Sequence, residues 1–123
     1  MANPSKVQVK EFVEAAHGDL LKVQQMLAIE PLLLLLPSGN ETALGAACQM
    51  RRHDIIQYLI AQGAELNISA ACVLGLTDRV ADFLAHDPTL LNKGDKQSHN
   101  KHLVYFAEDQ PETMALLKSR GAK

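Results

Sequence analysis

A helical stripe that returns along the chain constrains its fold more than any other feature. Val23, Met26 and Leu27 stand at i, i+3 and i+4, a spacing that places side chains on one face of a helix. The pattern recurs as Ile56, Leu59 and Ile60, then as Val80, Phe83 and Leu84, and then as Met114 with Leu117. The steps between copies are 33, 24 and 34 residues, and Gly18 and Gly75 lie 57 apart, matching the first two steps together. A period of 33, with about nine residues missing between the second and third copies, accounts for all of these positions. The copies also alternate. MLAIEPLLL from Met26 resembles FLAHDPTLL from Phe83, and YLIAQGAE from Tyr58 resembles ALLKSRGAK from Ala115, so a unit of about 57 residues is used twice.

Each copy is predicted to hold two short helices. The first is rich in small residues (EAAHG at 14–18, GAACQ at 45–49, SAACVLG at 69–75), which lets backbones approach closely; the second carries the larger stripe. Gly63 and Gly121 are expected to close helices in the left-handed conformation, and Pro31 and Pro88 to stop them. One helix pair cannot bury its own stripe, so neighbours must cover it and the end copies need polar outer faces. Lys118 falls at the place of Leu27, Ile60 and Leu84, and Lys6, Lys10, Glu11 and Glu14 scatter charge over the first helix. Leu117, in the last copy, is accordingly expected to be less enclosed than Leu59. The fold class is all-α, with helix well above one half and no sheet beyond hairpin turns.

Residues 42–67, TALGAACQMRRHDIIQYLIAQGAELN, carry a more specific signal. They resemble the ankyrin repeat without a gap: Thr42, Leu44 and Ala47 match the T-P-L-H-x-A opening, and Gly63 to Asn67 match the closing G-A-D-V-N. The likeness extends more weakly over 9–122, with copies one and three ending in Glu-Pro or Asp-Pro in place of Gly-Ala. Ala43 replaces the motif's Pro, Gly45 its His, and Arg51-Arg52 the inter-helix Gly-His. The missing residues lie where a family hairpin would join copies two and three. The resemblance implies an ankyrin-type solenoid of stacked antiparallel helix pairs with short or truncated hairpin loops. It implies repeats at about 7–36, 37–67, 68–91 and 92–123 within one domain, 1–123. It also implies a concave face that binds another protein, with Ser38, Gly39, Glu41, Gln49, Met50, Val73 and Leu74 as contact positions. Val73 and Leu74 have an alternative role in packing against the fourth copy.

Composition agrees. With 47% hydrophobic residues, three Phe, two Tyr and no Trp, the core must be aliphatic, which suits packed helices. A net charge of −2, with no like-charge run longer than two, lacks the footprint of a nucleic-acid or anionic-membrane binder. The N-terminal MANPSKVQVKEF has no signal-peptide core. Leu32 to Leu36, the longest apolar run, is far short of the about 20 residues that span a bilayer. Cys48 and Cys72 alone make no disulfide framework, so a reducing cytoplasm is expected.

The chemistry-bearing residues point the same way. The two cysteines occupy equivalent positions in adjacent copies, where helices packed about 10 Å apart exceed the roughly 7 Å Cα limit of a disulfide. His99-x-x-His102 has metal-like spacing but no third ligand at a matching distance in the sequence. Neither a metal nor a cofactor is expected, and without a phosphate loop, HExxH or nucleophile elbow, nor is an enzyme. The leucine run is expected to be extended, burying alternate side chains; the rest are either tucked over helix ends or a contact patch. The sequence therefore predicts a monomeric adaptor or inhibitor-like protein, with a self-associating accessory subunit as the alternative.

Overall fold

The computed structural model describes residues 3–123; Met1 and Ala2, which the single-domain assignment 1–123 includes, lie outside the described residues. Among the described residues, eight helices occur in four pairs: α1 (Lys6–Ala15) with α2 (Leu20–Ile29), α3 (Ala43–Gln49) with α4 (His53–Ala61), α5 (Ile68–Leu74) with α6 (Thr77–His86), and α7 (Leu103–Phe106) with α8 (Pro111–Ser119). Three short 3₁₀ turns, Pro31–Leu35, Pro88–Asn92 and Lys96–Ser98, complete the regular structure. Among the described residues there is no strand, only the isolated bridges Ser38–Glu41 and Asp95–Lys101. None of these helices is long and apolar enough to cross a membrane.

Local chemistry starts several of these helices. Ser5 and Gln8 form a reciprocal capping box at α1, and Asp19, Thr42 and Asn67 each accept the N–H three residues on, at 3.1, 2.9 and 2.9 Å. Such a cap contributes about 1 kcal/mol. Gly63 (φ +120°) and Gly121 (φ +94°) take the positive φ expected of them. The 57-residue spacing recurs in the element bounds: α2 and α6 begin at residues 20 and 77, and the 3₁₀ turns after them at 31 and 88.

Within each pair the two helices pack on one another, and the first helices meet in succession, α1 on α3, α3 on α5, α5 on α7. The second helices meet as α2 on α4 and α6 on α8, while α4 also touches α5. Small side chains allow this closeness. Every residue of α3 from Ala43 to Cys48 is buried, as is every residue of α5 from Ile68 to Val73. Phe12, Leu33, Ile55, Ile56, Leu59, Phe106 and Leu117 are the largest fully buried side chains of the core.

Two features of the last copy differ from expectation. Its stripe is Thr113 and Leu117, both fully buried, with Met114 only half-buried. Burial thus restores the 33-residue step from Val80, and Leu117 rather than Lys118 occupies the place of Leu27 and Leu84. A threonine is tolerated in that core because its hydroxyl pairs with the Thr77 hydroxyl at 2.8 Å. Nor is Leu117 loosely enclosed. The C-terminal tail folds back: Lys123 N–H donates to Asn92 Oδ1 (2.8 Å), Asn92 Nδ2 donates to the Gly121 carbonyl (3.3 Å), and Ala122 is buried.

Leu59→Ala and Leu117→Ala should therefore each cost about 2–5 kcal/mol, with similar losses in urea titrations followed by circular dichroism. A Leu117→Ala loss below half that of Leu59→Ala would show the last copy to be an open end.

Candidate functional site

The leucine run is helical, not extended. Proline at the first position presets φ, and the Glu30 carboxylate accepts the Leu32 N–H (3.2 Å), together starting the 3₁₀ turn Pro31–Leu35. Three residues per turn bring Leu32 and Leu35 to one side. Leu33 is buried, Leu34 and Leu36 are half-buried, and Leu32 and Leu35 remain 49% and 65% exposed. Ile29, at the end of α2, is 85% exposed. The acidic-residue–proline pair was the signal for this turn, and Asp87–Pro88 repeats it. There the Thr89 hydroxyl and N–H donate to the Asp87 carboxylate and hold its pKa below the usual range.

After Pro37 the chain makes a tight turn closed by Ser38 N–H to Glu41 O (2.8 Å) and Glu41 N–H to Ser38 O (3.1 Å), with Gly39 at φ +64°. Ser38 and Gly39, two of the predicted contact positions, line a groove of about 500 Å³ with Leu32, Leu36, Pro4 and Val9. Glu41 points elsewhere. Its Oε2 lies 3.0 Å from His17 Nε2 and 3.0 Å from His99 Nε2.

His99 belongs to a loop, residues 93–101, that lies across the start of α3. The Ser98 hydroxyl donates to the Gly45 carbonyl (2.7 Å), the Thr42 hydroxyl to Gln97 Oε1 (3.0 Å), and the Ser69 hydroxyl to Asp95. A Cβ on Gly45 would stand 1.8 Å from the Gln97 carbonyl oxygen. Glycine at position 45 is thus a steric requirement. Between α4 and α5 the chain runs directly through Gly63–Asn67, and the loop before α7 reaches α3 where no hairpin intervenes.

The far end of α3 meets α7. Arg51, at φ +51°, donates to the Tyr105 carbonyl (2.8 Å) and to Glu108 (2.9 Å), and its guanidinium lies 4.5 Å from the Tyr105 ring centroid. The Tyr105 hydroxyl donates to the Gln49 carbonyl. Gln49 is half-buried and its Oε1 is buried without a hydrogen-bond partner, while Met50 is 52% exposed beside it. Two expected contacts are withdrawn, one fully and one in part. Val73 is 1% exposed, with its carbonyl accepting from Gln110 Nε2 (3.0 Å), and Leu74 is half-buried against the core. Their packing role prevails, because α7 covers α5. The predicted contact set therefore divides into Ser38 and Gly39 on the groove, Glu41 in the histidine cluster, and Gln49 and Met50 at the α3 end.

Cys48 and Cys72 are both free and buried. Burial raises both thiols, with nearby Asp95 adding to the effect at Cys48, and Cys72 is pushed up to about 12. Such thiols are inert near neutral pH. Compared with protein-family models, curated proteins and solved structures, the chain matches none.

Two measurements follow. A thiol reagent at pH 7 should label neither cysteine in the native protein and both after unfolding; rapid native labelling would contradict their burial. Gly45→Ala should lower stability by about 1–3 kcal/mol in thermal or urea unfolding, and an unchanged midpoint would mean the loop does not sit on α3.

Proposed function

We propose that the chain is an ankyrin-type stack of four helix pairs that binds another protein, and that the groove beside the leucine turn is its contact surface. One observation carries the reading. Ser38 and Gly39, hairpin positions that contact partners in the resembling family, share a groove with Leu32 and Leu36, and the exposed Leu35 belongs to the same turn. Exposed leucines beside a polar turn have the mixed chemistry of an interface centre and rim. The succession of first helices, α1–α3–α5–α7, supports the stacked arrangement. The match of residues 42–67 to the family's opening and closing motifs supports its type. Inert buried thiols are in keeping with a reducing cytoplasm, and binding rather than catalysis is the proposed activity.

The partner presents apolar side chains to the groove. Self-association is the second reading, favoured by the exposed Ile29 and Val7. The double variant Leu32→Glu/Leu35→Glu replaces exposed side chains, so stability should change by no more than about 0.5 kcal/mol per site. Affinity capture from the source cell, read by mass spectrometry, should yield a protein retained by the wild type and by the control Leu21→Glu but lost with the double variant. Retention by all three would remove the groove from consideration. A concentration-dependent dimer in light scattering, abolished by the double variant, would favour self-association.

A further inference from the structure

Three side chains from separate segments converge beyond the end of α1. His17 follows that helix, Glu41 closes the hairpin turn, and His99 sits in the loop laid on α3. Both imidazole Nε2 atoms lie 3.0 Å from the same carboxylate oxygen, and all three ligand atoms lie within 4.8 Å of one another. We propose that His17 Nε2, Glu41 and His99 Nε2 form a binding site for a divalent transition-metal ion of the zinc class, with at least one coordination position open to water. Two imidazoles and a carboxylate are the borderline donor set that Zn²⁺ prefers. Zinc bonds of about 2.0–2.2 Å place tetrahedral ligand atoms about 3.4 Å apart. Both histidine–carboxylate separations, at 3.0 Å, lie just below that value, so small side-chain rotations would open the space for an ion.

The tautomer of His17 gives an independent argument. Its Nδ1 lies 3.0 Å from the Val13 carbonyl oxygen, which can only accept, so Nδ1 carries the proton. In the neutral ring Nε2 then directs a lone pair at the Glu41 carboxylate. A lone pair and an anionic oxygen at 3.0 Å repel unless a cation lies between them, which is either a bound metal ion or the second proton of an imidazolium. The Val13 carbonyl is the kind of outer partner that orients a metal-binding histidine and raises its basicity. Glu41 has 17% of its side chain exposed, which limits screening by water. Among the described residues, the single side-chain hydrogen bond of His99 is to Glu41, and its backbone holds a left-handed φ of +55°. His102, three residues on, is exposed outside the cluster; the His-x-x-His spacing therefore contributes one ligand, with the others coming from 82 and 58 residues upstream of His99.

The ion would join the end of α1, the Ser38–Glu41 turn and the 93–101 loop, so binding should stabilise the fold by linkage. The test uses tag-free full-length protein stripped with chelator and titrated with zinc alone. One equivalent should bind in calorimetry, the unfolding temperature should rise, and chelator should reverse the rise. Co²⁺ in place of zinc should give the visible absorption of a four-coordinate site. His99→Ala and Glu41→Gln should each weaken binding by at least about 10–100-fold and abolish the thermal shift, while His102→Ala should leave both unchanged. His99 lies on an exposed loop, and Glu41→Gln preserves shape, so either variant decides the matter should the other fail to fold. Absence of zinc binding in the wild type overturns the proposal, as does binding that survives in both ligand variants or is lost equally in His102→Ala.

Discussion

The carbonyl oxygen of Gln97 stands where the Cβ of any residue other than glycine at position 45 would be. That close approach determines how the two halves of the chain meet. It seats the 93–101 loop on α3, brings Ser98 to the Gly45 carbonyl and His99 to Glu41, and leaves Asp95 beside Ser69 at the start of α5. At the other end of α3, Arg51 and the Gln49 carbonyl hold Tyr105. The fourth pair thus grips both ends of a helix that belongs to the second. The third pair's first helix is enclosed between them, which is why a chain that could have presented α5 to a partner buries it.

Much of the architecture was legible because helix periodicity and caps are local. The stripes at Val23, Ile56 and Val80 lie on buried faces, and Gly63 and Gly121 take positive φ. What was not legible depended on distance or on chemistry with a weak sequence signal. The leucine run became a 3₁₀ turn because a carboxylate beside a proline supplies a cap, a preference that hydrophobic alternation does not register. Thr113 was overlooked as a core position because its polarity hides a hydroxyl satisfied by Thr77. Leu117 was placed at an open end because nothing in the sequence announces that Asn92 holds the C-terminal tail.

The site followed the same division. Ser38 and Gly39 were expected from a motif on their own hairpin, and both line the groove beside the leucine turn. Val73 and Leu74 were open between contact and packing in the sequence, because their burial depends on α7, some thirty residues downstream. The cluster of His17, Glu41 and His99 has no sequence signature, since its members come from three copies and meet only through the loop's seat on α3. Gly45 carried the clue: a motif position stripped of its side chain marks a place that another segment occupies.

That seat also bears on how the chain reaches its native state. In a row of units that touch only their neighbours, structure can start at any unit and spread outward, with each added unit closing a short loop of chain. Here Gln97 and Ser98 meet Thr42 and Gly45, and Tyr105 meets Gln49, at sequence separations of 53 to 56 residues. Loops of that size close at an entropic cost that is met before the contacts themselves form. Helix pairs one and two can assemble early and locally, whereas α5 gains its cover only when the last quarter of the chain arrives. On the ribosome, the small-residue surface of α3 and α5 therefore stays exposed until residues 93–106 have emerged, and that segment acts as the latch that closes it.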